Sequence, residues 1–114
     1  MRLIIAGSRH LKFGLMLISD GVKEAGFEPT TILSGASFGA DTYGEMWAEE
    51  RNIPVVQYPA DWNKHGKAAG PIRNAQMAEN ADALLLIWDG KSRGSASMLH
   101  EAQKRGLKIH QVII

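Results

Sequence analysis

The sequence contains no cysteine. A disulfide framework, a cysteine-based zinc site and a thiol nucleophile are therefore excluded, and the chain suits a reducing compartment. Long hydrophobic runs are missing as well. The longest, Ala83 to Trp88, stops at Asp89 and falls far short of the roughly 20 apolar residues a bilayer-spanning helix needs. No membrane association is expected. The chain opens straight into a strand-like run with no signal-peptide pattern, so a cytoplasmic location is expected. Charge of one sign is scarce too: the formal net charge is +1, which excludes a globally basic nucleic-acid binder of the usual kind. Neither GxxxxGK(S/T) nor GxGxxG occurs, so the standard nucleotide fingerprints are absent. No set of His, Asp and Glu shows metal-ligand spacing, and neither a metal nor a cofactor is expected.

What remains is a chain of 114 residues, 45% of them hydrophobic. That is enough for one domain, residues 1–114, with a core that needs no staples. Five short apolar runs stand out: "RLIIA" from Arg2, "TILSG" from Thr31, "IPVVQYP" from Ile53, "ADALLLIW" from Ala81 and "KIHQVII" from Lys108. Each reads as a buried strand. "ADALLLIW" is the most apolar and is placed centrally. Between the strands lie helical patterns. Leu11, Leu15, Ile18, Val22 and Ala25 share one helical face and Gly26 stops it. A second helix holds Tyr43, Met46 and Trp47 and runs to about Arg51. A third begins near Pro71, which suits a first helical turn. A fourth runs from about Ser95 to Arg105, with Gly106 as its stop. Strict alternation of apolar strands with helices implies a three-layer α/β fold. It is Rossmann-like, with about five parallel strands and helices on both faces.

In such a sheet, ligands bind outside the carboxyl ends of the strands. The segments that follow the first four strands are therefore the informative ones. They are Gly7-Ser8-Arg9, then "SGASFGAD" from Ser34 to Asp41, then "ADWNKHGKAAGPIRN" from Ala60 to Asn74, then "DGKSRGSAS" from Asp89 to Ser97. Three of the four are rich in Gly and Ser, and "ADWNKHGKAAGPIRN" is rich in Gly and Ala. That third segment reads as a long loop. It has no acidic residue between Trp62 and Ala78, yet it carries Lys64, Lys67 and Arg73. Glycine lets a backbone approach a ligand closely. Serine and the free N–H groups of a helix start donate to an anion. Arg9, Lys67, Arg73 and Arg93 supply charge, and arginine grips phosphate bidentately. Structural readings stand beside these. Gly-Ser-Arg suits a plain turn. "SGASFGAD" suits tight strand-to-helix packing with Asp41 near the N-cap. "SRGS", Ser92 to Ser95, fits a phosphate nest or a capped helix start. Trp62 suits a loop anchor or a stacking platform for a base. Lys64, His65 and His100 are expected to face solvent, and Glu45, Glu49 and Glu50 to form an exposed helix face.

With these stretches in view, the sequence resembles the SLOG superfamily and, within it, the small YspA-like proteins. The resemblance rests on "IIAGSR", "SGASFGAD", "ADW…GKAAGPIRN", "ADALLLIWDG" and "SRGSASMLHEA" and covers nearly the whole chain. It implies a Rossmann-like fold with a pocket for a nucleotide or nucleotide-derived small molecule. Two related groups bracket the function. "RNAQMAENADALLLI" is similar to the arginine-bearing segment of the LOG-type phosphoribohydrolases, which implies a ligand-binding role for Arg73. Their next motif, PGGxGTxxE, aligns with Gly94-Ser95 in a way that puts Met98 where they have a catalytic Glu. Glu101 lies nearly one turn further along. "GSRHLKFG" and "SGASFGAD" are similar to patterns of the DNA-processing DprA family, with Phe38 in place of an arginine.

Three functions follow as expectations. The first is a module that binds or senses a nucleotide-derived ligand. Its phosphate lies on "SRGS" with Ser8 and Arg73, and its base or ribose lies toward Asp61, Trp62 and the Ser34-Gly35 turn. Gly7, Arg9, Asp41, Lys67, Asn74, Ser92, Arg93, Gly94 and Ser95 complete that site. The second is an N-glycosidic-bond hydrolase with Asp41, Asp61, Arg73 and Glu101 as catalytic candidates. The third is a single-stranded DNA-binding protein, although the near-neutral charge supplies little of the basic groove this needs. Relatives of LOG type form dimers, so a homo-oligomer is expected.

Overall fold

Every strand of the sheet carries apolar side chains on both faces, and the fold follows from covering both. The computed structural model describes residues 1–114. The strands are β1 (Arg2–Gly7), β2 (Thr31–Ser34), β3 (Val55–Gln57), β4 (Ala83–Trp88) and β5 (Lys108–Ile113). They pair in parallel in the order β3-β2-β1-β4-β5. The helices are α1 (Gly14–Ala25), α2 (Ala40–Glu50), α3 (Trp62–His65), α4 (Ala69–Glu79) and α5 (Arg93–Lys104). None is long and apolar enough to cross a membrane.

The period-two alternation of strand side chains divides the core in two. Leu3, Ile5, Ile32, Leu85 and Ile87 face α1 and α2, where they meet Ile18, Val22 and Trp47. Ile4, Leu33, Leu84 and Leu86 face α4 and α5, where they meet Met77, Met98 and Ala102. Burying each of these Leu or Ile side chains contributes roughly 1.5–3 kcal/mol. Two of the helices are closed by glycines with positive φ. Gly26 and Gly106 close α1 and α5, and Phe27 and Leu107 donate back to Val22 and Ala102. This paired closure satisfies carbonyls that a helix end otherwise leaves open.

The fold class is therefore the Rossmann-like one expected, with four refinements. β4 is buried along its whole length, yet β1 is the middle strand and β4 lies beside it. Parallel strands next to the centre are covered as fully as the centre itself, so apolar content does not rank them. β3 shortens to three residues at the sheet edge, because Pro54 and Pro59 flank it and cannot donate to a ladder. α1 starts at Gly14, so Leu11 belongs to the turn before it. The largest change is in residues 60–74, which are mostly helical. Asp61 caps α3 through its carboxylate, a 3₁₀ turn spans Gly66–Ala68, and α4 starts at Ala69. Pro71 lies in the first turn of α4, as expected.

Candidate functional site

The chain leaves β1 toward β2 and β3 on one side and later returns to β4 on the other side of β1. This reversal opens a crevice at the carboxyl ends of β1 and β4. A cavity of about 450 Å³ lies there, within the size range of small-molecule sites. β1 contributes Gly7, α2 contributes Asp41, and α5 contributes its first turn. The segment 62–74 forms the remaining wall, with Trp62, Lys67, Arg73 and Asn74. Four cations, Arg9, Lys67, Arg73 and Arg93, surround one carboxylate, Asp41.

Asp41 and Arg73 both press on Gly35. A Cβ added at Gly35 would lie 2.6 Å from Arg73 Nη1 and 2.8 Å from Asp41 Oδ2. Any other residue would push one of them away. Arg73 Nη1 donates to the carbonyls of Gly35 and Tyr58, and its Nε donates to Asn74 Oδ1 at 2.9 Å. Its Nη2 hydrogens have no protein acceptor. Asn74 is buried, and its Nδ2 donates to the Gly94 carbonyl and to Ser97 Oγ. Asn74 thus ties Arg73 to the start of α5. Asp41 is 6% exposed, and its Oδ2 accepts the Ser37 N–H at 3.2 Å. Burial pushes its carboxyl up from 3.8 to about 6, although the Ser37 N–H and the Arg73 charge act the other way. Burial likewise lowers the Arg73 guanidinium, and Asp41 offsets part of this.

The first turn of α5 is held open from outside the cavity. Asp89 accepts the N–H groups of Lys91 and Ser92, and these bonds hold its carboxyl below the usual range. Ser92 caps the helix by accepting the Ser95 N–H. The N–H groups of Arg93 and Gly94 are left without protein acceptors. Ser95 is only 5% exposed, lines the cavity, and its hydroxyl has no hydrogen-bond partner. A Cβ on Gly94 would meet nothing within 4 Å. Three donors and the positive end of the helix therefore converge on open space.

Of the residues read from the sequence, Gly7, Arg9, Asp41, Trp62, Lys67, Arg73, Asn74 and Ser92 to Ser95 line the cavity. Ser8, Ser34, Gly35 and Asp61 do not. The Ser8 amide donates to Ile87 and its carbonyl accepts from Ala40. Gly39, at φ 79°, makes this contact possible: a Cβ there would sit 2.1 Å from the Ser8 carbonyl oxygen. Ser34 is buried behind the cavity and donates to Glu45, while Glu45 also accepts from Gln57. Glu45 is thus a fixed partner rather than part of a free acidic face. Asp61 is exposed and occupied with capping α3. Glu101 faces Arg105, away from the cavity. Trp62 is 58% exposed, so it is no core anchor. Lys64 and His100 are exposed and His65 is half-buried. Sequence reasoning did not single out Ser37, Gly70, Pro71, Met77, Ser97 or Met98 as cavity-lining. Met77 was findable, since it follows Arg73 by one helical turn.

These features define a Rossmann-like module with a polar, cation-rich cavity at the point where its strand order reverses. The chain belongs to the YspA, cpYpsA-related SLOG family, whose model matches residues 1–65. It is 33% identical to the Gene 61 protein of Mycobacterium phage D29 over 116 residues, covering 95% of this chain and 93% of that protein. Its structure is similar to that of DNA processing protein A (DprA) from Streptococcus pneumoniae, with a TM-score of 0.74 and 17% identity. That match covers 96% of this chain and 49% of the DprA chain, so this chain spans about half the length of that protein. The likeness to DprA is one of fold.

Proposed function

We propose that this protein is a binding module for a nucleotide or nucleotide-derived ligand. Its phosphate rests on the first turn of α5, between Arg73 and Arg93. The observation that carries this reading is the Ser95 hydroxyl, which reaches the cavity without a protein partner, beside the free N–H groups of Arg93 and Gly94. An anion at that position accepts from this hydroxyl and from both amides. Trp62, exposed at the rim and 3.5 Å from where a Gly70 Cβ would be, offers a face on which a base stacks.

Calorimetric titration with AMP, ADP-ribose, NAD and a short single-stranded oligonucleotide tests the reading. At least one nucleotide should bind more tightly than the oligonucleotide. Gly94→Ala should keep the fold, because its methyl meets no protein atom, yet it should weaken binding by filling the phosphate position. Absence of binding by every nucleotide at millimolar concentration refutes the proposal.

One observation favours a second reading. Asp41 is the carboxyl group that lines the cavity, and burial raises it from 3.8 to about 6, closer to neutrality than an ordinary carboxyl. Such a group suits proton donation to a leaving base in N-glycosidic cleavage. In this reading Asp41 replaces Asp61 and Glu101, which lie outside the cavity. The buried Met98, which does line it, adds no second carboxylate. Chromatography of the nucleotides after prolonged incubation separates the two. A binding module leaves them intact; free base that disappears in Asp41→Asn establishes the hydrolase.

A further inference from the structure

Beside the cavity, on the α1–α2 side, lies a surface the binding reading does not use. Phe38 is 80% exposed, Phe13 76% and Met46 43%. Phe13 precedes Gly14, whose backbone rests against the Tyr43 ring of α2, so these side chains belong to one region. Phe13 also holds a left-handed φ of 57°, an uncommon conformation for an aromatic residue. A shallow groove there is lined by Leu11, Phe38, Tyr43 and Met46 together with Arg9, His10 and Lys12, and it contains no acid.

We propose that this face is where two copies of the chain pair about a two-fold axis, with their α2 helices antiparallel. The exposed residues of α2 are Thr42, Met46, Glu49 and Glu50. Spaced by four, three and one, they form a single stripe. Its N-terminal end adjoins the basic groove, and its C-terminal end is acidic. Arg51 already pairs with Glu50 and stacks on Trp47, whereas Glu49 has no cation of its own chain. A two-fold axis near Met46 sets Thr42 of one copy opposite Glu50 of the other. It carries Glu49 of each copy toward Arg9 and Lys12 of its mate. Two-fold pairing satisfies both ends at once, because the same patch meets itself in reverse.

The dimensions agree. Phe13, Phe38 and Met46 together expose on the order of 400 Å², about half of the ~800 Å² each partner contributes to a stable interface. The charged ends then form the rim. Arg9 lines both this groove and the cavity, so the interface borders the ligand site.

Sedimentation velocity over a range of protein concentrations tests the pairing, with circular dichroism to confirm folding. Wild type should sediment as a dimer. Met46→Lys should raise its dissociation constant by about a hundredfold. Lys12→Glu and Glu49→Lys should each weaken it about tenfold by opposing like charges, and the two together should restore it. Wild type that stays monomeric overturns the proposal and leaves the face to a different partner. A dimer indifferent to Met46→Lys overturns it by placing the interface elsewhere. Loss in Met46→Lys without rescue by the exchanged charges overturns the antiparallel arrangement.

Discussion

Asp41 shows how a single residue links fold and site. It is buried, it fixes the Ser37 N–H, and it shares Gly35 with Arg73. Its folded-state carboxyl is raised from 3.8 to about 6, chiefly by burial. Between those values the folded chain keeps a proton that the unfolded chain has released. Stability therefore falls as pH rises through that window and levels off above it. The shift corresponds to about 3 kcal/mol at neutral pH. Asp41→Asn removes this cost while keeping an oxygen for Ser37. Thermal melts of both proteins at pH 4 and pH 8 check the point. The two should melt together at pH 4, and the variant should melt several degrees higher at pH 8. A residue whose ionisation opposes folding at neutral pH thus lines the cavity, the pattern seen where a site rather than stability selects a residue.

At the scale of elements, the segment 61–68 differs from the rest of the chain. α3 and the following 3₁₀ turn bury no side chain at all. They are held by the Asp61 cap and by α4 behind them, while Lys64 and Lys67 are exposed. Elements with so little buried apolar surface open at low free energy. Limited trypsin digestion read by mass spectrometry should cut first after Lys64 and Lys67, and a bound nucleotide should slow those cuts. The same segment marks how far the sequence could be read. Strand and helix periods show directly in "RLIIA", "ADALLLIW" and the Leu15-Ile18-Val22 face, because burial on a sheet or helix imposes its own spacing. The four strand ends with their Gly, Ser and Arg were visible for the same reason. Residues 61–68 were not visible as helical, because turns with no buried face leave no apolar period to read. Nor could the sequence show that Gly35 seats Arg73 and Asp41, or that Ser34 and Asp61 spend their polar groups elsewhere. Those depend on neighbours up to 38 residues away in the chain.

At the scale of the whole molecule, the cavity lies where the two layers of helices meet across the sheet end. Asp41 and Ser37 reach it from the α1–α2 layer, and Arg73, Asn74 and Ser95 from the α4–α5 layer. Few hydrogen bonds cross between the layers at this end; Arg73 to the Gly35 carbonyl is one. A ligand with its phosphate on α5 and its sugar near Asp41 would span both layers and add to that link. Because it binds only the folded chain, it stabilises by mass action, by about 2.7 kcal/mol at a hundred times its dissociation constant. For a domain of this size that is a rise in melting temperature of roughly 10 °C. The rise should follow the logarithm of ligand concentration. It should persist in Lys108→Ala, on the exposed start of β5 remote from the cavity, and shrink in Arg73→Lys. Lysine keeps the charge but loses the planar fork that reaches Gly35, Tyr58 and Asn74 together. A rise equal in wild type and Arg73→Lys would overturn the placement of the phosphate between Arg73 and Arg93, because a ligand held by α5 alone does not need that arginine.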